Sequence, residues 1–325
     1  MSGVALREVT PDEAEIRLDR WLRRHYPTLT QGVIQRLCRT GQVRVDGGRV
    51  EAATRLVAGQ SVRIPPIPAA AARPPAPAVD PRILAELERM VLYRDDQLIV
   101  LDKPAGLPTQ GGPGITRHLD GMLAQWPERP RLVHRLDRDT SGVLVVARTP
   151  GVAARLAAAF RSRAVDKTYW AVVVGRPVPV AGRIEVPLAR HEPFPGGARV
   201  APAEEWDTDV AHAITEFRTL DHAGRRLAWL ELSPLTGRTH QLRVHCVAIG
   251  APILGDTAYG EPREGGNTAL IEGMSERLHL HARRLDLPHP AGGRLIVEAA
   301  LPAHMAETFR DLGFVAPPPA PPQRR

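Results

Sequence analysis

Nine residues, His134-Arg135-Leu136-Asp137-Arg138-Asp139-Thr140-Ser141-Gly142, run directly into the apolar stretch Val143-Leu144-Val145-Val146. The apolar stretch is short and rich in β-branched residues, which is the pattern of a buried strand. This junction constrains the fold more than any other segment. Two arginines, two aspartates and a histidine sit on the turn that enters a core strand, and charges placed there need defined partners because an unpaired buried charge is costly. The stretch alone also admits a plainer reading, a solvated loop that carries the same charges at no cost.

The surrounding sequence, residues 82–312, is dense in strand signals. Strands are predicted at 98–101, 168–175, 183–188, 213–220, 227–232, 277–287 and 294–301, and helices at 152–160, 239–249 and 303–312. Runs of strands with few helices and hairpin-length connections predict an α+β fold: a mixed, largely antiparallel sheet with flanking helices. No βαβ unit repeats, and no glycine-rich phosphate cradle is present.

Residues 1–64 read as a separate small unit of two helices and a hairpin. Leu18, Trp21, Leu22 and Tyr26 give one apolar face, and Val33, Ile34, Leu37 and Cys38 a second at helical spacing. Thr30 is placed to cap the second helix and Gly41 to end it. Val43 and Val45 alternate before the turn Asp46-Gly47-Gly48, with Val62 and Ile64 beyond. Arg17, Arg20, Arg23, Arg24, Arg36, Arg39, Arg44 and Arg49 decorate this framework with one sign of charge. The whole chain carries 43 Lys and Arg against 36 Asp and Glu, a formal +7, which favours a polyanionic partner. Residues 65–81 are rich in Pro and Ala and predict a semi-rigid spacer of ~3 Å per residue. The tail, residues 313–325, has a similar composition and is predicted to be disordered. The second unit is therefore set at 82–312.

Several classes are excluded at this level. Cys38 and Cys246 lie far apart with no CxxC, so neither a disulfide framework nor a zinc site is indicated. No apolar run has the length of a membrane span and the first residues lack a signal-peptide core, so a cytosolic protein with no membrane association is expected. His240 and His245 are five residues apart, off the spacing that puts two imidazoles on one helical face. His279 and His281 share a strand face without an acidic companion. No metal is expected.

The nonapeptide resembles the HRLDxxTSG signature of the RluA-type pseudouridine synthases, which isomerise uridine to pseudouridine in structured RNA. Three further stretches resemble that family in order. Lys167-Thr168-Tyr169 with Ala171, Val173 and Gly175 is similar to its KxYxAxVxG strand, and Leu235 to His245 to its LxTGRTHQIRVH segment. Gly250 to Asp256 with Tyr259-Gly260 is similar to GxPIxGDxxYG, and Leu278 to Ala282 with His289-Pro290 also fits. The resemblance covers nearly all of the second unit. Gly111-Gly112-Pro113-Gly114 points within the family to enzymes of ribosomal large-subunit RNA. Asp102 and Gln110 depart from the pattern, standing where Asn or Ser and His are usual. Residues 1–64, with Arg17-Leu18-Asp19-Arg20-Trp21-Leu22 and Gly41 to Gly47, resemble the S-four-type RNA-binding module.

The resemblance implies that Asp137, rather than Asp139, is catalytic, that Tyr169 lies against the target base and moves a proton, and that Arg238 pairs with Asp137. A bidentate guanidinium suits a carboxylate. RNA contacts are expected at Arg17, Arg20, Arg36, Arg39, Arg44, His134, Arg135, Lys167, His240 and Arg243. The implied reaction is cofactor-free isomerisation of uridine in structured RNA, foremost large-subunit (23S) ribosomal RNA, with no obligate protein partner indicated. Transfer RNA is the alternative substrate. Two other classes compete: a non-catalytic RNA-binding ribosome-assembly factor, which has no need of Asp137, Tyr169 and Arg238 together, and a nucleoside hydrolase. The hydrolase would need a second carboxylate, and only Asp139 is near.

Overall fold

The computed structural model describes residues 4–26, 29–66, 80–112, 114–191, 199–260, 262–263, 266–267 and 269–325. The chain divides into two compact units, Met1–Ala78 and Val79–Arg325. Most of the expected Pro/Ala spacer lies outside the described residues. Its last residue does not belong to a spacer: Pro81 is the first residue of a helix.

The first unit comprises β1 (Ala5–Glu8), α1 (Leu18–His25), α2 (Gln31–Arg39), β2 (Arg44–Val45), β3 (Gly48–Arg49) and β4 (Ser61–Ile64). Its antiparallel sheet has the order β1-β4-β2-β3. The apolar faces read from the sequence form one core, in which Leu18, Trp21, Leu22, Ile34, Val62 and Ile64 are buried. Thr30 caps α2 by accepting from the Val33 N–H at 3.4 Å. Asp46 and Gly47 both take left-handed backbone (φ 50° and 80°), the geometry that lets a two-residue turn join twisted strands. Burial would raise the Glu13 carboxyl, but hydrogen bonds from the Trp21 indole N–H (2.8 Å), the His25 ring and the Thr10 N–H hold it down at about 2.

The second unit begins with α3 (Pro81–Arg89), β5 (Val91–Arg94), β6 (Leu98–Lys103), α4 (Leu119–Leu123), β7 (Arg131–Leu132) and β8 (Ser141–Ala147). It continues through α5 (Pro150–Arg161), β9 (Asp166–Val174), β10 (Ala181–Glu185), β11 (Leu188–His191), β12 (Arg199–Pro202), β13 (Ile214–Ala223) and β14 (Leu227–Pro234). The last elements are α6 (Gln241–Ala248), the short pair β15 (Pro262–Arg263) and β16 (Gly266–Asn267), β17 (Leu280–Pro288), β18 (Arg294–Glu298), α7 (Ala303–Leu312) and β19 (Gln323–Arg324). An 11-stranded sheet runs β10-β13-β14-β9-β17-β8-β6-β5, with β7 against β8 and with β18 and then β19 branching from β17. Only the β17–β8 pairing in it is parallel. The fold is α+β with a mixed, largely antiparallel sheet.

β8 is buried along its whole length because both faces are covered. Leu144 and Val146 pack with Leu87 and Leu119, while Val143 and Val145 pack with Val152 and Leu156 under α5. That is why the run is continuously apolar rather than alternating. β17 lies between β8 and β9, and its Ala282 is opposite Gly142 on one side and Tyr169 on the other. Two segments about 30 residues apart in sequence thereby meet at one level of the sheet.

The tail is ordered, contrary to the disorder expected of its composition. Phe314 packs on Trp229 and Phe309. The Arg283 guanidinium donates to the Pro317 carbonyl at 3.0 Å, and the Ala320 N–H to Glu298 at 3.1 Å. β19 then pairs with β18, with Arg294 and Arg325 exchanging backbone bonds of 2.8 and 2.9 Å. A segment too poor in apolar residues to build a core still gains order by covering an open sheet edge.

Candidate active site

The turn before β8 is fastened from four directions. Lys103, fully buried at the end of β6, donates to the carbonyls of Pro104 (2.9 Å), Leu107 (2.8 Å) and Arg138 (3.0 Å). Its burial lowers the ammonium to about 8, which leaves it protonated at neutral pH with all three donors used. The Thr109 hydroxyl donates to the Leu136 carbonyl at 2.5 Å, and the Gly106 N–H to the Arg138 carbonyl at 2.9 Å. His134 accepts the Val145 N–H at Nε2 (2.9 Å) and stacks on Phe160 with centroids 4.5 Å apart. Burial pushes its pKa down to about 3, so the ring is neutral. Ser141 and buried His281 share a hydrogen bond of 2.9 Å at the parallel β8–β17 junction.

This fastening leaves Asp137 projecting into a cleft of about 910 Å³, with 20 % of its side chain exposed. Tyr169 lines the same cleft from β9, and Arg238, His240 and Arg243 from the segment entering α6. Burial and the nearby Asp137 charge push the Tyr169 phenol up, so it carries its proton at neutral pH. The α6 entry is set by Gln241, buried at 3 % exposure. Its carbonyl oxygen accepts from Thr236 (2.7 Å) and the Arg238 N–H (3.0 Å), and its amide donates to Ile214 (2.8 Å) and Thr215 (3.0 Å).

The expected Arg238–Asp137 ion pair is absent from this structure. Arg238 is exposed and its Nε donates to the His212 carbonyl at 3.0 Å. The side chain that faces Asp137 within ion-pair range is His240, with Nε2 3.9 Å from Oδ2. The buried cation beside them is Arg243, whose guanidinium forks onto Asp256 at 2.6 and 2.8 Å while also feeling the Asp137 charge. Arg243 was expected to bind RNA; at 8 % exposure, with its fork occupied, it has little surface to offer a phosphate.

The remaining expected RNA contacts divide by exposure. Arg20, Arg36, Arg39 and Arg135 point to solvent. Arg17 is held by Asp19 at 2.8 Å, and Arg44 by the Gly41 and Gly47 carbonyls at 3.1 Å each. Lys167 is half-buried, lines the cleft and donates to the Thr236 carbonyl at 3.3 Å; burial and nearby Arg163 lower its pKa. His134 lines the cleft, but its Nε2 and one ring face are already taken by β8 and α5. Sequence reading passed over Lys103, Thr109, Gln241 and Asp256 as working parts. A lysine within an apolar run ending in Lys103-Pro104 was the available signal for the first. Among the described residues no group of three His, Cys, Asp or Glu side chains is arranged to hold a metal ion, and no helix is long and apolar enough to cross a membrane.

Residues 97–248 match the RNA pseudouridylate synthase family. Ribosomal large subunit pseudouridine synthase C of Vibrio cholerae is 36 % identical over 310 residues, which cover 93 % of this chain and 95 % of that protein. The protein of the same name in Escherichia coli K12 is 35 % identical over 304 residues, 92 % of this chain and 93 % of that one. Among solved structures, human RNA pseudouridylate synthase domain containing 4 superposes with a TM-score of 0.59 at 29 % identity, covering 71 % of this chain and 96 % of that one.

Proposed function

The chain belongs to the RNA pseudouridylate synthase family, and from that premise we propose that it isomerises a uridine of large-subunit (23S) ribosomal RNA with Asp137 as the catalytic carboxylate. The observation that carries the site assignment is the cleft itself, where Asp137 projects from a rigidly fastened turn and shares the space with Tyr169. The substrate class follows the relatives, whose names specify the ribosomal large subunit. Action on ribosomal RNA implies a cytoplasmic enzyme.

The target nucleotide flips out of its stack into the cleft, whose volume of about 910 Å³ is ample for a nucleoside. The N1–C1′ bond breaks, the uracil turns while held, and C5 bonds to C1′. Departure of the base leaves electron deficiency at C1′, which a fixed carboxylate stabilises. Tyr169 stacks on the base and passes on the proton released from C5. Its raised pKa argues for a relay that keeps its proton between turnovers rather than a standing phenolate. Arg243 supplies the buried positive field near Asp137, and Arg238, exposed on the rim, is placed for a phosphate. No step of this scheme calls for a cofactor.

Residues 1–64 form the S-four-type RNA-binding module in this reading, with Arg20, Arg36 and Arg39 as its exposed cations. Pseudouridines mapped by carbodiimide-based primer extension, in total RNA from cells with and without this gene, test the proposal. The expected result is loss of one or more sites in large-subunit RNA. Unchanged ribosomal RNA together with a lost transfer-RNA site would overturn the substrate assignment.

A further inference from the structure

Tyr259 is 5 % exposed, and its hydroxyl lies 2.7 Å from Nδ1 of His240. A buried phenolic proton needs an acceptor, and among the described residues Nδ1 is the one within hydrogen-bond distance. A backbone hydrogen bond from Val200 acts to lower the Tyr259 pKa, as an N–H received by the phenolic oxygen does, which leaves the hydroxyl proton to point toward His240. Nδ1 is therefore the accepting nitrogen and the ring proton sits on Nε2. That nitrogen is the one 3.9 Å from the Asp137 carboxylate.

The backbone adds a second, independent sign. His240 has φ 53°, one of the few non-glycine residues here in the left-handed region, and it stands immediately before α6. Such a conformation is disfavoured for a side-chain-bearing residue and persists where the surroundings enforce it. Here Gln241 fixes the next residue from inside and Tyr259 fixes the ring. The imidazole lines the cleft.

We propose that His240, locked by Tyr259 as the neutral Nε2–H tautomer, is a positioning residue that orients the Asp137 carboxylate. This deepens the role given above to Asp137 and rests on it. At 3.9 Å the pair is beyond hydrogen-bond distance, so a small rotation of either side chain makes the bond when a nucleotide fills the cleft. The logic is that of a second group choosing which nitrogen of a histidine faces a reacting acid. The charged groups around the ring are Asp137 and Arg135 from the motif turn, Arg243 from α6, and Asp256 from the loop after it. Arg199 and Arg243 each place a guanidinium 4.7 Å from the Tyr259 ring centroid. Burial, with the Arg243 and Arg135 charges, favours a neutral imidazole, against the pull of Asp137 and Asp256.

Long-range proton–nitrogen NMR on the full chain with labelled histidine reads the tautomer directly. The Nε2–H signature is expected at neutral pH. Tyr259→Phe keeps the ring in place but removes the donor, so Nδ1 becomes free to take a proton. The His240 titration and the acid limb of kcat should then both move to higher pH, by about half a unit or more. His240→Asn tolerates the left-handed backbone. It is expected to lower kcat by about 10- to 100-fold with KM for RNA within about 3-fold, a loss of orientation rather than of binding. An Nδ1–H tautomer in the unaltered chain, a wild-type kcat in His240→Asn, or an unmoved pH profile in Tyr259→Phe would each overturn the proposal. The tautomer measurement needs no turnover, so a failure of the reaction assigned above registers separately.

Discussion

Asp137 and Arg238 illustrate how differently two residues of one motif set can be placed. Asp137 stands on a turn whose backbone is tied to Lys103 and Thr109, so its position does not depend on its own charge. Asp137→Asn should therefore fold normally and bind RNA within several-fold of wild type while losing activity. Tritium release from C5-labelled uridine above a few per cent of wild type would show that another group does the chemistry. Arg238 is anchored to the His212 carbonyl on the cleft rim. Arg238→Gln is expected to raise KM, flatten the slope of log K against log salt by about 0.7–0.9, and leave kcat within about 3-fold. A collapse of kcat at unchanged KM would mean that the guanidinium swings onto Asp137 once RNA is bound.

Among the elements, β8 and β17 carry the tightest constraint. Gly142 has φ 107°, and a Cβ placed on it would fall 2.2 Å from the Ala282 carbonyl oxygen. Neither backbone can yield, because Ala282 also pairs with Tyr169 through β9. The glycine of the motif is thus what allows the only parallel junction of the sheet to close beside the site. Gly142→Ala should destabilise the second unit by about 2–4 kcal/mol and impair turnover even where the protein remains folded. Equal denaturation midpoints for variant and wild type would refute this account.

At the scale of the molecule, the two units should respond differently to acid. His279 and His281 of the second unit are fully buried, and burial lowers both to about 4. An unfolded histidine titrates near 6.5, so between pH 6.5 and 4 the unfolded chain binds protons that the folded unit refuses. Stability of the second unit falls over that window, by on the order of 3 kcal/mol for each histidine at its lower end. Glu13 of the first unit is also lowered, from 4.5 to about 2, but its window lies further into acid: its contribution is intact above pH 4.5 and is lost only below. Hydrogen exchange between pH 6.5 and 4.5 should show protection lost from residues 80–325 before residues 4–66; the reverse order would contradict the assignment.

Deleting residues 1–64 addresses the role of the first unit. Loss of phosphate contacts should reduce the salt slope by about 2–4 and be largely recovered at saturating RNA, with the chemistry of the second unit intact. A lower melting temperature with an unchanged slope would instead mark a folding cap.

The α+β class and the family were legible in the sequence because both rest on local order. Period-two and continuous apolar runs mark strands whatever their neighbours, and four motifs in fixed succession need no three-dimensional context. α3 was equally legible in principle, with Asp80 accepting from the Arg82 N–H at 2.9 Å and Pro81 in the first turn, but the adjoining Pro/Ala composition masked it. Partnerships were not legible, because they are decided by which groups meet in space. Asp256, thirteen residues beyond Arg243, claims that guanidinium; Arg238 turns to a backbone carbonyl; His134 accepts a strand N–H. The tail is the same lesson at larger scale. Nothing in a Pro/Ala-rich segment announces order, and it becomes a strand only because β18 presents unpaired backbone groups that tertiary structure alone creates.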